Sequence, residues 1–225
     1  EKARQDSSPT RRAAAARLLG VLDTAPVLDR IGKALKVTQG IEADLCLETN
    51  LEGQLVTMKG RTKCHADGRR FLMELAADSG GQEMTLKVVS DGQTMWTETR
   101  LSKMDSVLVQ KWPLSVLERN GWPFHNALQC LGPLRAFFDF TTVRNGQLGA
   151  AEVLILEGVV KRGAAERRVE AAGAAGVQLG ARATGPMLAA IQEARLFAAK
   201  ADYLPRRTEI LGRKGKLLKA MQLDN

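Results

Sequence analysis

Two histidines and three cysteines are the side chains of this 225-residue sequence with the readiest chemistry. His65 and His125 each stand near a turn or helix with no second ligand at metal spacing, so neither is read as a metal ligand or a general base. Cys64 beside His65 is the one thiol–imidazole neighbour pair. Adjacent residues on a strand point to opposite faces, and Cys64 is therefore read as inert. Cys46, Cys64 and Cys130 make an odd set without metal-like spacing, which indicates neither a disulfide framework nor a zinc site. The chain carries no G-x-S-x-G, H-E-x-x-H, P-loop or G-x-G-x-x-G. Gly212-Arg213-Lys214-Gly215-Lys216 lacks the P-loop spacing and reads as a hairpin turn. The expectation is a protein that is not an enzyme, with no catalytic residue, no metal and no cofactor.

Charge is the next chemical resource. Thirty-three Lys and Arg stand against 25 Asp and Glu, a net +8, which favours anionic headgroups, polyanions or an acidic partner. The excess gathers near the end, in Arg206, Arg207, Arg213, Lys214, Lys216 and Lys219. These residues read either as a solvated edge guarding against strand addition or as a basic docking patch. Nucleic acid fits poorly, because the basic segments carry few aromatics and no helix-turn-helix or RNP-like signature. No apolar run reaches membrane-spanning length. Glu1–Thr10 resembles the mobile tail that follows a cleaved leader, and a signal peptide trimmed upstream of Glu1 is expected.

The elements that would position such groups follow from periodicity. Residues 1–22 are expected to be a tail with a short helix, and 23–225 the folded unit. A helix is predicted over Pro26–Gln39, with Val27, Leu28, Ile31, Leu35 and Val37 on one stripe and Gly40 as its stop. After Gly40 the period drops to two, predicting strands at Ile41–Thr49, Gln54–Cys64, Arg69–Ala77 and Met84–Ser90. In the first pair Cys46 should face Thr57. Asp91-Gly92 predicts a two-residue type I′ hairpin that sets Ser90 opposite Gln93, Val88 opposite Met95, Leu86 opposite Thr97, and Lys87 over the Trp96 ring. Further strands are expected at Leu101–Gln110, at Phe140–Arg144 and Ala151–Val160 around Asn145-Gly146, and at Arg195–Ala201, Pro205–Leu211 and Lys216–Leu223. Val153-Leu154-Ile155-Leu156 should be covered on both faces. Short helices are expected after Trp112-Pro113 and Trp122-Pro123, and the Ala/Gly-rich stretch 163–185 reads as an insertion or lid.

Alternation puts Ile41, Leu45, Leu47, Phe71, Met73, Leu75, Leu86, Val88 and Met95 on one face. They are the candidate apolar lining of a ligand pocket, and the same pattern is equally that of a closed core.

The stretch Val56-Thr57-Met58-Lys59-Gly60 through Gly68-Arg69-Arg70-Phe71, the hairpin Ser90-Asp91-Gly92-Gln93-Thr94-Met95-Trp96, and the crossing Asp202-Tyr203-Leu204-Pro205-Arg206-Arg207 together resemble the LolA family of lipoprotein carriers. The resemblance implies an α+β fold, a strongly curved antiparallel β-sheet or incomplete β-barrel with helices covering its concave face. It also implies a monomer of the periplasm or cell envelope, binding lipid or lipoprotein acyl chains. An envelope protein partner, as for stress sensors on this scaffold, is the alternative. Lys63-Cys64-His65-Ala66-Asp67-Gly68 stands where the carriers have Lys-Arg-Pro, and their closing Arg has no clear counterpart here.

Overall fold

The computed structural model describes residues 23–51, 53–65, 67–79, 82–102, 106–115, 131–161, 163 and 190–224. The expected tail, the start of the helical stretch after Trp122-Pro123, His125, Cys130 and nearly all of the 163–185 insertion lie outside them.

The first helix, α1, spans Thr24–Val37. Asp23 caps it, its carboxylate accepting from the Ala25 amide at 3.1 Å, which satisfies one of the orphan donors of the first turn. Val27, Leu28 and Ile31 are buried and Leu35 packs beside them, whereas Val37 is exposed. The helix stops before Gly40, which is already the first residue of β1.

The strands are β1 Gly40–Leu51, β2 Gln54–His65, β3 Arg70–Ser79, β4 Gln82–Asp91, β5 Thr94–Leu101 and β6 Val107–Pro113. A short helix α2, Leu131–Phe137, precedes β7 Phe138–Leu148 and β8 Ala151–Val160. β9 Glu193–Ala199, β10 Pro205–Leu211 and β11 Leu217–Asp224 complete one 11-stranded antiparallel sheet in the order β6-β5-β4-β3-β2-β1-β11-β10-β9-β8-β7. Two meanders thus meet where β1 pairs with β11. Among the described residues no strand joins β6 to β7, so the sheet is open.

Registers differ from expectation by two residues at both early hairpins. Cys46 lies opposite Lys59, and Ser90 opposite Met95, with Val88 facing Thr97 and Lys87 facing Glu98. The cause at the second hairpin is the Asp91 side chain, whose Oδ1 accepts the Gln93 and Thr94 amides at 2.8 Å each. Asp91 therefore ends β4, Gly92 takes the positive φ of 95°, and the turn is Gly92-Gln93 rather than Asp91-Gly92. A slip of two preserves which face each side chain occupies. The Lys87 stem consequently leaves Trp96, which Lys111 of β6 covers instead at 5.7 Å, while Lys87 pairs with Glu74 at 2.8 Å.

The Asp91 carboxyl is held below its ordinary range, chiefly by the Thr94 amide and then by that of Gln93. A depressed folded-state pKa contributes stability that is complete above the unfolded value and fades as pH falls through the folded one. Asp91→Asn should therefore flatten the acid limb of a melting-temperature profile taken between about pH 2.5 and about pH 6, around the unfolded value near 3.9. An unchanged acid limb would show that the turn does not depend on this charge.

Two other expectations are corrected. Asn145-Gly146 is inside β7, paired with Leu154 and Val153, and the hairpin turns at Gly149, whose φ is 58°. Gly146 is small because the Ile155 side chain lies over it. Leu101 ends β5, and the next strand begins only at Val107. Trp112-Pro113 finishes that strand, the expected helix opens directly after it at Leu114, and Pro113 is tolerated because β6 is a sheet edge.

Candidate functional site

One face of the sheet carries two apolar clusters with different chemistry. On the β7–β10 half, α1 and α2 cover Val143, Leu154, Leu156, Leu196 and Ile210, joined by the edge-on pair Phe137 and Phe138. Branched and aromatic side chains have few rotamers and make a stiff core.

The second cluster lies over β1–β5 and β11 and contains all nine residues expected to line a pocket. Leu45, Leu47, Phe71, Met73, Leu75, Val88 and Met95 are buried there, and Ile41 and Leu86 pack against them. The structure adds Ala43, Met58, Cys64, Ala77, Leu114, Met221 and Leu223. Met58 escapes a pattern search because Gly60 and Thr62 share its face of β2 and dilute the alternation. Met221 and Leu223 join only through the β1–β11 pairing, a long-range contact that no local pattern encodes. Five of the seven methionines, Met58, Met73, Met84, Met95 and Met221, belong to this cluster; Met104 and Met187 lie outside the described residues.

The opposite face of β1 and β7–β11 is a charge ladder. Arg144 and Arg195 flank Glu157 at 3.3 and 3.4 Å, and Arg195 continues to Glu209 at 3.7 Å. Arg207 then reaches Glu209 at 2.8 Å, Gln222 at 2.9 Å and Glu48 at 2.7 Å. Burial works against the Arg207 charge, but the bonds to Glu209 and Glu48 outweigh it and its pKa is raised.

This placement divides the six basic residues. Arg206 is bound to Asp202 at 2.7 Å and Arg207 is absorbed in the ladder. Lys219 stands opposite Ile210 in the β10–β11 register, on the face away from Arg207. Arg213, Lys214 and Lys216 remain together and exposed in the 3-10 turn Arg213–Gly215 that connects β10 to β11. They form one small basic tip, and the six do not make a single patch.

The candidate nucleophile and base residues have structural surroundings. The Cys46 thiol is pushed up by burial and then by Glu48, which keeps it protonated. The Cys64 sulfur sits 3.4 Å from the His65 carbonyl, and the His65 ring lies in an exposed turn against Arg70 and Asp67. Among the described residues no group of three His, Cys, Asp or Glu could hold a metal ion. A cleft of about 600 Å³ opens between Leu148, Ala151, Ala199, Arg206 and Leu223 at the far end of β7–β11, and of the second cluster only Leu223 touches it. No described helix is long and apolar enough to cross a membrane.

No protein-family model matches the chain, and no curated protein matches it in sequence. Solved structures do. The lipoprotein LppX of Mycobacterium tuberculosis is similar at a TM-score of 0.48 and 11% identity, over 90% of this chain and 94% of that one. A LolA superfamily protein of Nitrosomonas europaea is similar at 0.31 and 8%, over 90% and 91%. The MucA/MucB complex of Pseudomonas aeruginosa is similar at 0.39 and 15%, over 90% and 56%. The chain thus spans little more than half the length of the MucB structures it matches. Each likeness is one of coarse fold at low identity, and one of the three structures carries the LolA superfamily name.

Proposed function

We propose that the chain is a non-enzymatic binding module of the cell envelope that takes lipid or lipoprotein acyl chains against the methionine-rich face of β1–β5 and β11. In this reading the face lies on an open sheet that is not the strongly curved, helix-covered incomplete barrel expected, and α1 and α2 cover the neighbouring β7–β10 half. One observation carries the proposal: five of seven methionines sit in one of two adjacent clusters on a single sheet face. Methionine is unbranched and polarisable, and it lets a packed face reshape around a guest as a Leu/Ile/Phe core does not. Each acyl CH₂ moved from water to such a face contributes about 0.8 kcal/mol, so a long chain needs no polar anchor to bind. The exposed Arg213–Lys216 tip offers anionic headgroups a contact.

The test uses delipidated protein and cis-parinaric acid as a fluorescent acyl probe. Saturable binding that palmitate displaces supports the reading, and no binding defeats it. Met58→Leu, Met73→Leu and Met95→Leu combined preserve volume at a cost below about 1.5 kcal/mol per site. They should lower acyl affinity about tenfold through stiffening while the chain still melts cooperatively as a folded protein. Equal affinity in the triple variant would mean that the methionines serve packing alone.

A further inference from the structure

The two edges of the sheet are built differently. Along β7 the exposed positions are Asp139, Thr141, Arg144, Asn145 and Gln147, and Thr24 of α1 donates its hydroxyl to the Phe140 carbonyl at 3.0 Å. Charge and cover of this kind are how a sheet edge is kept from pairing. Among the described residues β6 is guarded only toward its end, by Lys111 and Pro113. Val107, Leu108 and Val109 are 47%, 58% and 60% exposed, so the strand shows aliphatic side chains to solvent on both of its faces.

Its backbone orientation follows from one hydrogen bond. The Leu114 amide donates to the Gln93 carbonyl at 2.7 Å, in line with the β5–β6 register that sets Thr94 opposite Pro113 and Arg100 opposite Val107. Antiparallel pairs alternate between bonded and non-bonded, so Trp112, Gln110 and Leu108 point their N–H and C=O groups at β5. Val107, Val109, Lys111 and Pro113 point theirs outward. Pro113 fits this assignment, since a residue with no N–H loses nothing at an outward position. From Val107 to Lys111 the edge offers a complete set of main-chain donors and acceptors, and Pro113 ends it.

We propose that β6 is a docking strand for an extended segment of a partner polypeptide, which adds antiparallel to the sheet with aliphatic residues opposite Val107 and Val109 and a carboxylate beside Lys111. Main-chain bonds supply affinity in strand addition, and side chains at alternate positions supply selectivity. Val107, Val109 and Lys111 are those positions, and Lys111 is the single charge in β6. The same charge argues against a second copy as the occupant. A two-fold pairing about Val109 sets Lys111 against Val107, with no carboxylate to meet it, and brings together chains that each carry +8.

The probe is the blocked peptide acetyl-Glu-Thr-Val-Thr-Val-amide, with a control in which Lys replaces Glu. The readout is residue-resolved amide exchange of the ¹⁵N-labelled chain. At about 1 mM peptide, exchange at Val107, Val109 and Lys111 should slow about tenfold, while Leu108 and Gln110, already bonded to β5, stay unchanged. The Lys control should bind about fivefold more weakly or worse. Val109→Pro removes an outward N–H without touching the β5 ladder, and Val109→Lys leaves the backbone whole. Both should abolish the slowing while melting as the parent does. No protection by the peptide, or equal binding of the Glu and Lys peptides, would overturn the proposal. So would a peptide-free dimer in sedimentation with the same three amides protected, because the occupant would then be a second copy.

Discussion

Gly60→Ala is expected to destabilise the chain by about 3 kcal/mol or more, the upper end of what an inserted methyl group does to a packed interior. A Cβ at Gly60 would overlap the Glu74 carbonyl oxygen and stand 3.0 Å from the Leu75 Cα. Both obstacles are backbone atoms of β3, so no rotamer change relieves them. Only a separation of β2 from β3 does, and that breaks the ladder running from Lys59↔Ala76 to Cys64↔Phe71. At 2–4 °C per kcal/mol for a chain of this size, the melting temperature should fall by about 6–12 °C. Gly146→Ala is the internal control. Its Cβ would meet side-chain atoms and no backbone, Ile155 Cδ1 and Cγ1 and, at 3.7 Å, Val153 Cγ2, so a side-chain shift relieves it and the cost should stay near about 1 kcal/mol. Thermal melts of the two variants side by side would decide the matter, and equal stabilities would mean that β2 and β3 do not approach so closely.

Gly60 also marks the limit of what the sequence discloses. Alternation is a local property, and it places all nine apolar candidates on one face even where the pairing shifts, because both hairpin errors are even-numbered and the side-chain period is two. Turn identity is harder to read. Asp91-Gly92 and Asn145-Gly146 look alike as dipeptides, yet one adjoins a turn whose side-chain acceptor displaces it by a residue, and the other is a strand pair narrowed for Ile155. The distinction rests on what the other strand brings, and a dipeptide does not contain that. The same holds for charge. Arg207 counts as one of six basic residues in the sequence, but its partners Glu48 and Gln222 are 159 and 15 positions away. They meet only because β11 closes on β1.

That closure makes Arg207 the second position with a large expected effect. Its side chain is 17% exposed, Glu48 21% and Glu209 15%, so the three charges are largely withdrawn from water. Arg207→Met retains the length of the stem and removes the guanidinium, leaving two carboxylates and the Gln222 carbonyl oxygen without their common donor. Breaking a buried ion pair from one side costs about 3–5 kcal/mol, because the remaining charge keeps its desolvation cost and loses its compensation. Glu209 keeps Arg195 at 3.7 Å, so the loss falls chiefly on Glu48 and this variant belongs at the lower end. The triple variant Glu48→Gln, Arg207→Met, Glu209→Gln removes the charges together and should recover most of that loss, since a neutral set of similar shape owes no desolvation. Denaturant titration of the parent, single and triple variants reads both steps, and the unfolding slope should stay constant across them if the fold is retained. A triple variant as unstable as the single one would show that the ladder specifies the β11–β1 junction through geometry that only arginine supplies. A single variant as stable as the parent would show that Glu48 and Glu209 find water or other partners when Arg207 is gone. The expected pattern, a deep loss reversed by neutralisation, makes the ladder a device of specificity: it adds little net stability over an apolar face, but it penalises every register of β10, β11 and β1 in which Arg207 fails to reach both carboxylates.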